Sequence, residues 1–107
     1  MTPSEKQIEI SILQLLNQRG FYCYRNHDQA KKIGDSYRKD VWAPRGQPDL
    51  EVMTKSGIVF LEVKTAKGKQ SEDQIKFQEK CEGYNIPYFV VRSARQALAA
   101  VQASVDA

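Results

Sequence analysis

The stretch from Asp49 to Lys64 reads DLEVMTKSGIVFLEVK. It contains two runs that are rich in β-branched and aromatic residues, Leu50 to Thr54 and Ile58 to Thr65, and only the Lys55-Ser56-Gly57 segment separates them. Such runs on either side of a short polar segment predict two antiparallel strands joined as a hairpin. We therefore take this hairpin as the centre of the fold.

The register of the hairpin decides which side chains meet. A two-residue turn at Lys55 and Ser56 makes one face wholly apolar and gathers three charged side chains at one end of the other face. The expected pairs are Met53 with Ile58, Val52 with Val59, Leu50 with Leu61, and Asp49 with Glu62; Lys64 shares the face of Glu62. Because Lys-Ser is not a favoured turn and Gly57 suits a bulge, a second register stays open.

Capping signals and periodicity predict the remaining elements. Thr2-Pro3-Ser4-Glu5 resembles a capping box and opens a helix from about Pro3 to Arg19; Phe21 to Asn26 is a strand. Residues 27–47 have no clear period and are expected to form a loop. Ser71 and Gln74 form a second capping box before a helix to about Gly83; an apolar strand from Pro87 to Arg92 and a last helix capped by Ser93 follow. The predicted order is αβββαβα, an α/β fold.

Composition restricts the class of protein. The chain has 107 residues, 41% of them hydrophobic, which fits a single domain over residues 1–107. We find no apolar run of membrane-spanning length and no secretory signal, so we expect a cytoplasmic protein, in a bacterial or phage-infected cell, with no membrane partner. Cys23 and Cys81 are interpreted as reduced core thiols. The single histidine, His27, argues against a zinc site or a Ser/His/Asp triad, and the absence of a phosphate-binding glycine loop argues against an NTPase.

Positive charge is concentrated in two segments. The net charge is +3, and residues 25–45 carry six bases against three acids, which accounts for all of it. The second segment, residues 64–69, contains three bases and no acid. Basic clusters that flank one site attract a polyanion such as nucleic acid. The alternative is that these bases only keep solvent-exposed loops soluble. The bases of the two segments are Arg25, Lys31, Lys32, Arg38, Lys39 and Arg45, then Lys64, Lys67 and Lys69.

Carboxylates are expected to converge beside the hairpin. Asp49 and Glu62 would repel each other unless a cation lay between them, and oxygen ligands of this kind suit Mg²⁺ or Mn²⁺. On the first helix, Glu5 falls inside the apolar stripe and Glu9 at its edge. Each residue also has a structural explanation: Glu5 and Gln74 as capping-box members, Asp49 as a turn residue, and Glu62 with Lys64 as an ion pair. Their coincidence favours a site.

Three motifs resemble the virus-type replication-repair nuclease (VRR-NUC) family of the PD-(D/E)XK nuclease superfamily. They are Gly46-Gln47-Pro48-Asp49-Leu50, Phe60-Leu61-Glu62-Val63-Lys64-Thr65, and Gly68-Lys69-Gln70-Ser71 followed by Gln74. Glu5, Ile8 and the Arg25-Asn26 pair also fit that pattern, and the resemblance extends from about Ser4 to Arg92. It implies a restriction-endonuclease-like core, αβββαβ(α), with a mixed central sheet flanked by helices.

The resemblance also implies roles. Asp49, Glu62 and the Val63 carbonyl would bind Mg²⁺ or Mn²⁺, with Glu5 or Glu9 as the helix acid, a choice that stays open. Lys64 would contact the attacking water or the scissile phosphate, and Gln74 would lie near the active site. The residues that we expect to contact DNA are Arg25, Asn26, Lys31, Lys32, Arg38, Lys39, Arg45, Lys67 and Lys69. We expect a metal-dependent DNA endonuclease acting on branched DNA such as Holliday junctions, as a homodimer, in replication, repair or recombination. The alternatives are a nuclease of the same fold acting on flaps, single strands or unbranched duplex, and an inactive DNA-binding module.

Overall fold

The structure is a computed structural model that describes residues 2–26, 31–33, 36–38 and 44–106. It contains three helices and six strands in the described residues. In chain order they are α1 (Glu5–Gln18), β1 (Tyr22–Arg25), β2 (Lys31–Ile33), β3 (Ser36–Arg38), β4 (Leu50–Thr54), β5 (Gly57–Val63), α2 (Glu72–Gly83), β6 (Tyr88–Val91) and α3 (Ala94–Asp106).

Four strands form a mixed sheet in the order β1-β4-β5-β6. The first three are antiparallel neighbours, whereas β6 runs parallel to β5, because α2 forms the crossover between them. The predicted α/β class with a mixed central sheet is confirmed. The short strands β2 and β3 pair with each other as a separate antiparallel ribbon.

The hairpin has the register that the alternation of side chains predicts. Leu50 pairs with Leu61, Val52 with Val59, and Met53 with Ile58, around a two-residue turn at Lys55 and Ser56. Gly57 takes up the turn geometry with a φ of +124°, and the Thr54 hydroxyl donates to the Gly57 carbonyl at 2.8 Å. The pattern of burial therefore decided the register in spite of an unfavourable turn dipeptide.

The two faces of the sheet have different neighbours. The helices α1 and α3 cover one face, where their buried residues meet the apolar side chains of the strands. On the opposite face, the Phe77 ring of α2 lies 5.8 Å from the Phe60 ring and 6.2 Å from the Tyr88 ring, measured between centroids. Because side chains alternate, Glu62 shares the face of Phe60 and looks toward α2. The core of the α1 and α3 face contains Ile8, Ile12, Leu16, Cys23, Leu50, Val52, Val59, Leu61, Val63, Val91, Ala97 and Val101.

Two sequence predictions about the elements are wrong. The N-cap of α1 is Ser4 rather than Thr2, and its capping box is closed by Gln7 rather than Glu5. Both spacings satisfy the motif, and the helix uses the second one. The segment predicted as a plain loop contains β2 and β3, so the predicted order αβββαβα lacks two strands. His27 lies outside the described residues.

Both cysteines are free and buried, as predicted. Burial and the nearby Glu9 charge raise the pKa of Cys23 to about 12, so this thiol is a packing group. None of the helices in the described ranges is long and apolar enough to cross a membrane.

Candidate active site

Asp49 lies immediately before β4 and is fixed from two sides. The backbone N–H of Val63 donates to Asp49 Oδ2 at 2.8 Å, and the backbone N–H of Asn26 donates to the Asp49 carbonyl at 2.9 Å. The first bond ties the carboxylate to the end of β5, where Glu62 lies. The second continues the pairing of β1 with β4 by one residue.

The segment before Asp49 is held by close packing as well. The Asn26 side-chain amide donates to Gln47 Oε1 at 2.9 Å and to the Pro48 carbonyl at 3.2 Å. Gly46 has a φ of +76°, and a Cβ atom there would lie 2.3 Å from the Asp73 backbone. The segment can therefore pass the first turn of α2 only with glycine at this position.

Glu62 is the buried carboxyl group of the site. Its exposed fraction is 1%, and Oε2 accepts a hydrogen bond from Gln74 Nε2 at 3.0 Å. The Lys64 ammonium lies 3.5 Å from the same oxygen. The other oxygen, Oε1, is buried and receives no hydrogen bond from any described residue. A buried carboxylate oxygen without a donor is costly unless a cation or a proton occupies it.

The surroundings of Glu62 favour its neutral form. Burial, and after it the charge of the nearby Asp49, raise the pKa of Glu62 to about 8, and Lys64 opposes that rise. Burial and the Glu62 charge also raise the pKa of Tyr88, whose ring packs against Phe77. The site therefore disfavours two ionised carboxylates side by side.

Gln74 caps α2, as the sequence predicts, and also contacts Glu62. Its side-chain oxygen accepts from the Ser71 N–H at 2.8 Å and completes the capping box of α2, while its side-chain nitrogen donates to Glu62. One amide can do both because its oxygen and nitrogen point in different directions. The start of α2 is thereby attached to the buried carboxyl group.

Lys64 follows β5 and is nearly enclosed. Its side chain is 11% exposed, and its backbone N–H donates to the Val91 carbonyl at 3.0 Å. The next residues form a turn in which the Gly68 N–H donates to the Thr65 carbonyl at 3.1 Å. The structure thus places Lys64, Glu62, Asp49 and Gln74 together, as the sequence predicts.

The two helix acids do not join this group as extra carboxylates. Glu5, the first residue of α1, is exposed, so the expectation that it points into the core is not met. Glu9 forms an ion pair with Arg25 of β1. Within the described ranges, no group of three or more His, Cys, Asp and Glu side chains is close enough to hold a metal ion. The acidic side chains that the structure brings together are those of Asp49 and Glu62.

The predicted DNA-binding residues have different environments. Arg25 is exposed but paired with Glu9, and Asn26 holds the segment that leads to Asp49. Exposed bases lie in the segments on either side of the site: Arg45 before Asp49, and Lys67 and Lys69 after Lys64. Lys31 and Lys32 belong to β2 and Arg38 to β3, whereas Lys39 lies outside the described residues.

One residue of this region was missed by the sequence analysis. Arg92, directly after β6, donates from Nη1 to the carbonyls of Thr65 and Gly68 at 2.5 and 2.8 Å. A signal for it exists in the sequence. If β6 is taken as parallel to β5, the ends of the two strands become neighbours, and the base after the apolar run falls beside the turn after Lys64.

Comparison with known proteins identifies the fold. A solved structure described as a VRR_NUC domain matches with a TM-score of 0.63 and 21% sequence identity, over 92% of this chain and 94% of that one. No protein-family model and no curated protein sequence matches the chain. The chain therefore has the fold of a VRR_NUC domain, in agreement with the resemblance carried by its motifs.

Proposed function

We propose that this chain is a nuclease domain that hydrolyses phosphodiester bonds in DNA with the help of a divalent metal ion. The observation that carries the proposal is the convergence of Asp49, Glu62, Lys64 and Gln74 from three separate segments, the start of β4, the end of β5 and the first turn of α2. A fold alone does not imply an activity, whereas a buried arrangement of reacting groups is expensive to maintain without one.

The donors present fit Mg²⁺ or Mn²⁺. Asp49 and Glu62 are hard oxygen ligands, and Glu62 Oε1 is buried without a donor. Burial and the charge of Asp49 raise the pKa of Glu62, which supports a cation as the partner that would let both carboxylates ionise. The proposed ligands are Asp49, Glu62 and the Val63 carbonyl, and Glu5 or Glu9 would participate through water or after rearrangement.

The residues of the chain have distinct tasks in this proposal. When bound, the metal ion would supply positive charge at the phosphate and would lower the pKa of the attacking water. The Val63 N–H orients the Asp49 carboxylate, and Gln74 orients Glu62 by its hydrogen bond. Lys64, whose ammonium is held at Glu62, would donate to the attacking water or to a phosphate oxygen, where negative charge accumulates in the transition state. No covalent intermediate is required.

The proposed substrate is branched DNA, such as a Holliday junction, cut to leave 5′-phosphate and 3′-hydroxyl ends. A domain with one such site cuts one strand at a time, so cutting two strands of a junction requires two subunits, and we propose a homodimer. The exposed Arg45, Lys67 and Lys69 would contact the DNA backbone on both sides of the site.

The proposal is tested by incubating the purified protein with a labelled four-way junction, a matched duplex, a flap and a single strand, each in Mg²⁺, Mn²⁺ or EDTA. We expect cleavage that requires metal and is fastest on the junction. Glu62→Gln and Lys64→Ala should each abolish cleavage while changing junction affinity only a few-fold, because they remove transition-state interactions and leave the surface intact.

Glu51→Gln is the matched control for these variants. Glu51 lies on β4 and accepts a hydrogen bond from the Tyr24 hydroxyl at 2.8 Å, outside the group of Asp49 and Glu62. Glutamine can keep that bond, so full activity is expected. If a flap, a single strand or duplex DNA is cleaved fastest, that DNA rather than the junction is the substrate. Metal-dependent binding of DNA without cleavage would indicate a binding module instead.

A further inference from the structure

We propose that Arg92 is a positioning residue that holds Lys64 beside Glu62 by fixing the turn from Thr65 to Gly68. The inference deepens the proposed function, on which it rests, and concerns a residue that contacts neither carboxylate. It begins from the contacts of a single guanidinium nitrogen. Nη1 of Arg92 donates to the carbonyls of Thr65 and Gly68, the first and last residues of the turn.

The turn is thereby closed at both ends. The Gly68 N–H donates to the Thr65 carbonyl across the turn at 3.1 Å, and Arg92 binds the same carbonyl at 2.5 Å. A guanidinium has its donors in a rigid plane, so two carbonyls bound to one nitrogen are fixed relative to each other. The geometry of the turn therefore depends on a side chain from a different strand.

The environment of Arg92 supports a role in fixing the turn from Thr65 to Gly68. The residue is half-buried, and the ion pairs found in the described part of the chain are Arg25 with Glu9 and Lys64 with Glu62. Arg92 thus has no carboxylate partner in those ranges and directs its charge at backbone carbonyls. A half-buried cation without a counter-ion would be poorly solvated if these carbonyls did not accept its hydrogen bonds.

The turn is coupled to Lys64 by both backbone and side chain. The Lys64 N–H donates to the carbonyl of Val91, the residue before Arg92. A Cβ atom on Gly68 would lie 3.5 Å from Lys64 Cδ, so the turn backbone lies against the lysine stem. A turn that moved away would leave this stem without support on that side, and the ammonium would no longer be confined to its place 3.5 Å from Glu62 Oε2.

Three variants separate this role from a general contribution to stability. Arg92→Ala removes both carbonyl contacts, and Arg92→Lys keeps the charge without the planar pair of donors. Arg95→Ala is the matched control, because Arg95 is an exposed arginine on α3 three residues away. If Arg92→Ala does not fold, Arg92→Lys serves in its place, and thermal unfolding identifies the variants that are folded.

The first measurements need neither DNA nor metal. Amide hydrogen exchange at Gly68 should become faster in Arg92→Ala, with the strands unchanged, because the turn opens locally. Reductive methylation of Lys64 should also become faster, since a released stem is more accessible. Both rates should be unchanged in Arg95→Ala and intermediate in Arg92→Lys. Unchanged Lys64 reactivity in a folded variant would overturn the proposal, whatever the activity of the protein.

The last measurement is single-turnover cleavage. A misplaced catalytic group should lower the cleavage rate of Arg92→Ala at least about tenfold, while junction affinity changes only a few-fold. Added guanidinium ion should restore part of the rate, and added sodium ion should not. Wild-type cleavage by Arg92→Ala would overturn the positioning role. Inactivity of the wild-type protein on every DNA would overturn the nuclease proposal, and the DNA-free measurements would still decide what Arg92 does.

Discussion

Gln74 donates from Nε2 to Glu62 Oε2 at 3.0 Å while its own oxygen accepts from the Ser71 N–H. The cap of α2 and the orientation of the buried carboxyl group therefore depend on the same amide. Substitutions can separate the two functions, because glutamate at this position closes a capping box as well as glutamine does but cannot donate to Glu62.

Gln74→Glu should keep the helix cap and impair the site. It replaces a donor by a third carboxylate next to Glu62, so we expect a strong loss of cleavage and a destabilisation of roughly 1–3 kcal/mol in urea unfolding of the metal-free protein. Ser71→Ala is the complementary variant. It removes the hydroxyl that accepts from the Gln74 N–H at 3.2 Å, which should cost about 1 kcal/mol without impairing cleavage. Equal losses of cleavage in both variants would contradict this division.

Glu62 should make the metal-free protein less stable as pH rises. The pKa of its carboxyl is raised from 4.5 to about 8, mainly by burial, so the folded protein binds more protons than the unfolded chain between these values. The free energy of unfolding contributed by this group must therefore fall as pH increases from about 4.5 and level off above about 8. The total change is on the order of a few kcal/mol.

Urea unfolding of the wild type and of Glu62→Gln from pH 5 to 9, in EDTA, measures this contribution as the difference between the two curves. The variant should lose the decline, because a glutamine does not titrate. Glu51→Gln, which removes a carboxylate outside the site, should follow the wild type. Parallel curves for the wild type and Glu62→Gln would mean that Glu62 is ionised throughout.

The sequence predicted the centre of this site because the residues on one face of the two strands, Leu50, Val52, Val59, Leu61 and Val63, are all apolar and buried. One register alone makes the face of Leu50 and Leu61 wholly apolar, and that register also brings Asp49 to Glu62.

Elsewhere, the local sequence signals were ambiguous. Thr2 with Glu5 and Ser4 with Gln7 both have capping-box spacing, and only the packed helix shows which pair is used. The ribbon of β2 and β3 has few apolar residues, and the contacts of Arg92 follow from the parallel neighbour of β5, which periodicity does not reveal.

Gly46→Ala should destabilise the protein and displace Asp49. Its φ of +76° already disfavours any side chain by roughly 1–2 kcal/mol, and the added Cβ would overlap the Asp73 backbone, which cannot rotate away. We expect the free energy of unfolding, measured in urea, to fall by more than that amount and metal binding to weaken. Gly83→Ala is the matched control, since nothing lies within 4 Å of its Cβ position at the end of α2. It should be neutral or stabilise by about 0.5–1 kcal/mol.

Lys67 and Lys69 should contribute to DNA affinity through phosphate contacts. Both are exposed in the segment after Lys64. Replacing each by alanine should weaken binding similarly for all sequences and reduce the slope of log affinity against log salt by about one unit per lost contact. Lys55→Ala serves as the control, because Lys55 lies in the hairpin turn at the opposite end of β4 and β5. An unchanged slope for both variants would place the DNA elsewhere.

Divalent metal should stabilise the protein through Asp49 and Glu62. The folded site binds the ion and the unfolded chain does not, so millimolar Mg²⁺ or Mn²⁺ should raise the Tm when its Kd is in or below that range. Asp49→Asn should reduce this shift. It should also stabilise the metal-free protein slightly, because it removes one of two repelling charges while the asparagine oxygen can still accept from the Val63 N–H.

Protons should compete with the metal at this site. Because the pKa of Glu62 is raised to about 8, metal binding must displace a proton at lower pH, and the rise in Tm should grow from pH 6 to 8. Calorimetric titration with Mn²⁺ at both pH values, on the wild type and Asp49→Asn, measures this directly. Glu51→Gln should bind as the wild type does. If the wild type binds no Mn²⁺ even with junction DNA present, Glu62 Oε1 must be stabilised by its proton alone, and a module that binds DNA without cutting it becomes the better explanation of the fold.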